Sequence, residues 1–198
     1  MREKEVIALL RLQRIPGIGP LGAHRLISHF GSAKRLFDAS RGDLREIRGI
    51  GHARLTNLLN NQFQREAEAE WQLITNKGIR ILSYRDPGYP SYLKECSDAP
   101  LVLFQTGDIN LAGKRLLSIV GTRNMTGYGE RFCRKLMEGL VPYDPVIVSG
   151  FAHGVDICAQ MAAVDLGLET VACLSHGLDR VYPQAHKRYV DKVCAHGG

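Results

Sequence analysis

No stretch of this sequence approaches the ~20 consecutive apolar residues of a membrane-spanning helix, so its pattern excludes a helical membrane protein. The five cysteines, Cys96, Cys133, Cys158, Cys173 and Cys194, are odd in number, widely spaced and free of any CxxC pair. That spacing excludes a disulfide scaffold or a zinc ribbon and predicts buried, reduced thiols in a cytosolic protein. The charged opening Met1-Arg2-Glu3-Lys4-Glu5 runs into a helical pattern and does not read as a secretory signal. Seven histidines show no H-E-x-x-H or other metal spacing. There is no G-x-x-x-x-G-K-[ST] for a Walker site, and no G-x-S-x-G or legible Ser/His/Asp constellation for acyl chemistry. A dinucleotide fingerprint fails as well: the first glycine turn is not G-x-G-x-x-G, and Ser149 stands where an acidic residue would end the next strand. No catalytic residue, cofactor or metal is predicted.

What is present suits a soluble globular protein of one large or two small domains. Of 198 residues, 44% are apolar, enough to build a core. The net charge of +6 is uneven. Residues 1–78 hold 13 Lys/Arg against 8 Asp/Glu, whereas residues 79–198 hold 13 against 12. A basic first part hints at a nucleic-acid surface, although a modest surplus also fits a solvated face.

Periodicity divides the chain at Gly78. Before it, Val6, Leu9, Leu10, Leu12, then Leu26, Ile27, Phe30, then Leu55, Leu58, Leu59 recur at helical spacing. A longer helix is predicted from Gln62 to Lys77, with Gly78 as its C-cap. After it, short apolar runs at 79–83, 101–104, 116–120, 146–148 and 170–174 alternate with helical segments at about 128–141, 154–167 and 185–195. The segment 84–100 reads as loop. The expected fold class is α/β: a small all-α domain over 1–78, then a Rossmann-like, mostly parallel sheet over 79–198 covered on both faces.

The strongest motif is Leu116-Leu117-Ser118-Ile119-Val120-Gly121-Thr122-Arg123-Asn124-Met125-Thr126-Gly127-Tyr128-Gly129. A buried strand ends in a glycine turn and feeds a helix start, so bare N–H groups and the positive end of the helix dipole converge there. Arg123 adds a forked, permanent cation, which together favours a phosphate. Ser149-Gly150-Phe151-Ala152-His153-Gly154-Val155-Asp156 repeats the strand–turn–helix design. In a parallel sheet both turns reach the same edge, so they should flank one cleft. Asp156 is expected to orient Arg123 or tie down backbone amides; a hydrogen bond to a ligand hydroxyl is the other reading. A third segment at that edge, His176 to Arg188, offers Tyr182 for stacking on a base and Lys187 and Arg188 for phosphates. Equally, Tyr182-Pro183 shapes a turn and the two cations coat a helix.

The first part contains an internal repeat. Leu12 to Ala23 and Leu44 to Leu55 both follow apolar-x-x-apolar-x-Gly-apolar-Gly. This resembles the helix-hairpin-helix motif, whose glycines leave N–H groups at a helix start for a DNA phosphate. Gly17, Gly19, Gly49 and Gly51 are therefore candidates for a secondary DNA contact, with tight turns used only for packing as the alternative.

Taken in order, Ile119 to Arg123, Tyr128-Gly129, Ser149 to Asp156 and Gly177-Leu178-Asp179 with Tyr182-Pro183 closely resemble the DNA-processing protein A family (DprA, also called Smf). Asp86-Pro87-Gly88-Tyr89-Pro90 and Asp98 to Leu103 are similar to that family's lead-in segment. The resemblance implies a cytoplasmic protein that binds single-stranded DNA, helps load a RecA-type recombinase onto it in natural transformation, forms homodimers, and is not an enzyme. Carried over, Arg123 is the phosphate-binding arginine, Gly121, Thr122, Ser149 and Gly150 match the glycine-rich pocket walls, and Tyr182-Pro183 matches the family's Tyr-Pro segment, with Lys187 and Arg188 beyond it. From the turns themselves, backbone N–H groups at 121–127 and 149–154 are expected to hold successive phosphates with Arg123, Tyr182 or Phe151 to stack a base, and Gly127, Gly154 and Asp156 to complete the candidate site. Gln184 departs from a common lysine and Gln160 from a common histidine. The chain is also expected to be truncated, since family members continue past Gly198 with further strands; a sheet stopping there would expose an apolar edge. The rival function is a nucleotide- or phosphoribosyl-acting enzyme of a related Rossmann-like fold, and a third is an interaction module with a vestigial pocket.

Overall fold

The computed structural model describes residues 2–47 and 50–198. The chain divides into two compact units, Met1–Phe104 and Gln105–Gly198.

The first unit opens with α1 (Arg2–Gln13), α2 (Pro20–Phe30), α3 (Ala33–Asp38), α4 (Arg41–Arg45), α5 (His52–Leu58) and α6 (Asn61–Asn76). Leucines at helical spacing in α1 set its packing: Leu9, Leu10 and Leu12 are buried in one core with Ile27, Leu36 and Leu58. Helix starts are written in the sequence. Ser32 Oγ accepts from Arg35 N, Ser40 and Asp43 form a reciprocal capping box, and Asn60 Oδ1 accepts from Gln62 N. At the end of α6, Gly78 takes φ +64, and the Ile79 amide bonds back to Ile74 O, closing the helix as expected. Arg11 enters this core with both terminal guanidinium nitrogens paired, while its Nε has no partner among the described residues. It donates to Leu58 O at 2.7 Å and Gln64 Oε1 at 3.2 Å, and it lies 3.9 Å from the Phe37 ring centroid.

The same unit includes β1 (Arg80–Ser83) and β2 (Val102–Gln105), paired as a two-stranded sheet. Ile81, Leu101 and Val102 bury with the helical core, and a ring nitrogen of His24 bonds Ala99 O at 2.7 Å. The expectation of one alternating sheet from residue 79 onward is therefore corrected, because these two strands are held by the helices' apolar surface. The segment read as loop contains a short helix, α7 (Ser91–Lys94).

The second unit is a parallel sheet in the order β3 (Leu116–Ser118), β4 (Val146–Ser149), β5 (Thr170–Ala172). Its register pairs Leu117 with Ile147, and Ile147 with Thr170. α8 (Gly127–Leu140) and α9 (Val155–Asp165) pack on Ile147 through Cys133, Met137, Ala159, Ala162 and Ala163. The helix expected over 185–195 is split: Gln184–Tyr189 is 3₁₀ and α10 (Val190–Ala195) follows. Residues 196–198 run beside β5, with the Ala172 amide donating to Gly198 O at 2.8 Å, so backbone pairs the edge there. Cys133 and Cys158 are buried as expected, and burial pushes the Cys133 thiol up to about 12. Cys96 and Cys173 are exposed, which corrects the uniform burial expected of the thiols. Among the described residues no helix is long and apolar enough to cross a membrane.

Candidate nucleic-acid interface

The two glycine turns of the second unit are built on each other. Val155 N donates to Thr122 O at 3.2 Å, and Ser149 Oγ donates to Ile119 O at 2.5 Å. Glycine is required at the junction. A Cβ on Gly121 would stand 2.6 Å from Val155 Cγ2, and one on Gly154 would collide with the carbonyl oxygens of Thr122 and Arg123. Thr122 Oγ1 also accepts from Asn124 N at 3.1 Å, a local turn that fixes the backbone around Arg123. The outcome is a rigid platform bearing one cation. Arg123 is exposed, and among the described residues its guanidinium has no hydrogen-bond or ion-pair partner.

Next along the chain, Thr126 caps α8 by accepting from Gly129 N at 3.1 Å. One of the first-turn donors is thereby used. The amides of Gly127 and Tyr128 have no bond within the helix by geometry and point outward at its positive end.

The second turn differs from expectation in two places. The Gly150 amide is not bare: it donates to Asp156 Oδ2 at 3.2 Å. Asp156 is buried and ties down the backbone by accepting that amide. Phe151 is only 2% exposed and takes φ +60, and its ring is buried against His186 at 5.4 Å. The expectation that Phe151 stacks a base is therefore corrected by burial.

The third segment joins the same edge through His186. Its Nδ1 lies 2.8 Å from Phe151 O, so that nitrogen carries the proton and donates. Burial pulls the His186 pKa below its ordinary value, with His153 and Arg188 acting in the same direction and the Phe151 bond opposing. Nothing in the spacing of the sequence marks His186 as this anchor, because the contact spans 35 residues. Beside it, Tyr182 is 63% exposed and Lys187 is exposed. Arg188 is exposed too, but it donates to Tyr189 Oη at 2.7 Å. The structure thus brings Gly121, Thr122, Arg123, Ser149, Gly150 and Gly154 together directly, with the Tyr182–Arg188 segment attached through His186.

In the first unit the repeat is visible in hydrogen bonds. Ile18 N bonds Ile15 O at 3.1 Å and Ile50 N bonds Ile47 O at 3.3 Å; Ala23 N and Leu55 N then bond Gly19 O and Gly51 O. Gly17 takes φ +83, and Gly19 and Gly51 precede α2 and α5 with open space around them. Gly49 lies outside the described residues.

Residues 80–198 match the family described as DNA recombination-mediator protein A. The chain belongs to this family, DprA/Smf. Residues 9–60 match the SAM-like helix-hairpin-helix tandem. Protein Smf of Synechocystis sp. is 30% identical over 206 residues, covering 100% of this chain and 50% of that protein. The X-ray structure of DprA from Streptococcus pneumoniae is similar at a TM-score of 0.74 and 27% identity, covering 100% of this chain and 66% of that one. DprA from Helicobacter pylori, whose structure concerns its single-stranded DNA binding mode, is similar at a TM-score of 0.52 and 29% identity over 60% of this chain and 53% of its own. The chain thus spans half the length of the Smf relative it matches.

Proposed function

We propose that this chain binds single-stranded DNA through its sheet domain, as a non-enzymatic member of the DprA/Smf family acting in DNA processing. Arg123, without a partner among the described residues and held on the fused Gly121–Arg123 and Ser149–Val155 turns, carries the reading: a cation on a constrained backbone with no anion beside it is suited to a phosphodiester. The H. pylori relative's single-stranded DNA binding mode supports the substrate class. Tyr182 and Lys187 extend the contact at the neighbouring segment. On this reading the DNA contact lies within residues 79–198, on the β3–β4–β5 sheet unit, and residues 1–78 are accessory, in a cytoplasmic protein. The family resemblance extends the proposal to homodimerisation and to loading of a RecA-type recombinase.

The test is fluorescence anisotropy of a labelled single-stranded oligonucleotide, against its duplex, at two salt concentrations. The single strand should bind more tightly. Arg123→Ala should weaken it at every sequence and lower the salt slope by about one. Unchanged affinity and slope in that variant would remove Arg123 from the site. Incubation with nucleoside monophosphates should release no base, and release would favour the enzyme reading instead.

A further inference from the structure

α8 exposes more apolar surface than a solvated helix needs. Its inward row contains Cys133 and Met137, both buried. On the neighbouring row, Tyr128 is 71% exposed, Phe132 57% and Leu136 40%. These three recur every four residues and so form one stripe along the helix. The Tyr128 and Phe132 rings face each other, with centroids 6.4 Å apart and planes 24° from parallel. A contiguous stripe of this kind marks a surface that a partner covers.

The charges around the stripe indicate the partner's chemistry. Glu130, the acid of the first turn, is engaged by Arg134 at 3.2 Å. Arg131 is exposed, and its Nη1 lies 3.5 Å from where a Cβ on Gly127 would stand. A guanidinium there sits beside the positive end of its own helix, where an anion is favoured and a cation is not. Among the described residues neither Arg131 nor Lys135 has a hydrogen-bond or ion-pair partner. Flat aromatic faces interleaved with unpaired cations match a polymer of planar bases and phosphates. An apolar protein helix laid on the same stripe would leave Arg131 without its anion.

We propose that Tyr128 and Arg131 form a second contact for an unpaired nucleic-acid strand, a base stacking on the Tyr128–Phe132 pair and a phosphate meeting Arg131. This rests on the reading of Arg123 as the main phosphate site, and it directs the strand along α8.

The experiment uses the full chain, a labelled oligothymidylate and an abasic oligonucleotide of equal length, each at two salt concentrations. Tyr128→Leu keeps an apolar side chain and removes the ring. It should weaken oligothymidylate roughly 5- to 100-fold and leave the abasic strand bound as by the unsubstituted chain. Arg131→Gln should lower the salt slope by about one on both strands. Both side chains are exposed, so melting curves should not move. If Arg123→Ala loses affinity while Tyr128→Leu and Arg131→Gln bind normally, the second contact is refuted and the main site stands. If the unsubstituted chain binds neither strand, both readings fall. If Tyr128→Leu instead dissociates a self-associated chain in sedimentation, with DNA affinity unchanged, the stripe is a protein–protein surface and the proposal is overturned.

Discussion

Gly154 is pressed against the backbone of Arg123: a Cβ on Gly154 would stand 2.7 Å from the Arg123 carbonyl oxygen. Gly154 also takes φ +80, a region that residues with a Cβ enter at a cost. The turn that presents the Arg123 guanidinium is therefore moulded on the loop that starts α9. Neither turn has its geometry without the other, which is why two motifs far apart in sequence make one surface.

Gly154→Ala follows directly from that contact. The backbone angle, φ +80 with ψ −125, costs a residue with a Cβ about 1–3 kcal/mol and the forced displacement about 1–3 kcal/mol more. The expected result is a loss of about 2–6 kcal/mol of stability in urea unfolding, on the sum of those two effects. Oligonucleotide affinity should fall with it, because Arg123 would no longer be held in place. An unshifted midpoint would show that the two turns fold independently.

Asp156 separates a positioning role from a binding one. Its buried carboxylate accepts from the Gly150 amide. Asp156→Ala leaves that amide without its partner and is expected to cost about 1–3 kcal/mol. Asp156→Asn keeps an acceptor oxygen and should restore most of the melting temperature and the DNA affinity together. If the asparagine variant were stable but failed to bind DNA, the carboxylate charge itself would belong to the ligand site.

The His186 anchor predicts a pH dependence. Its pKa lies below the ordinary 6.5, chiefly because burial disfavours the imidazolium. Below pH 6.5 the unfolded chain takes up a proton that the folded chain resists, so this contribution is complete above 6.5 and is lost as pH falls. Urea midpoints at pH 7.5 and 5.5 should differ more for the unsubstituted chain than for His186→Gln, which cannot titrate. Equal differences would place the pH sensitivity elsewhere.

Backbone requirements were the legible part of this chain. Gly121 and Gly154 are dictated by close approach, and the paired Ile-x-Gly-Ile-Gly segments by a tight turn before a helix, so each leaves a mark in sequence. The short apolar runs around Leu117, Ile147 and Val171 likewise mark the parallel sheet, but only β4 is mostly buried; the strand expected to be buried at 116–120 leaves Leu117 and Val120 exposed, which corrects that expectation. Partner choice was not legible. Ile81 and Val102 look like Ile147 in sequence, yet they bury with the helical core of α1–α6 and Ile147 with α8 and α9, since local pattern does not say which apolar surface a strand meets. Phe151 shows the same limit: its ring is buried against His186, a long-range contact to which composition is blind. Tyr128 was read only as part of a motif, since ring exposure emerges from packing.

The repeat in the first unit makes a last, graded prediction. Gly17 needs φ +83, so Gly17→Ala should cost about 1–2 kcal/mol. Gly19 sits at φ −81 as the N-cap of α2 with nothing within 4 Å of an added Cβ, so Gly19→Ala should cost only the cap preference, about 1 kcal/mol or less. That tolerance permits a clean probe of the hairpin: Gly19→Glu puts a carboxylate at the start of α2 where a phosphate would dock, without disturbing the core. If the hairpin touches DNA, this variant melts normally and binds more weakly, by roughly tenfold for one lost charge-assisted bond. Normal melting with normal affinity would assign the repeat to packing alone, and the loop's open face would then have no part in holding the strand.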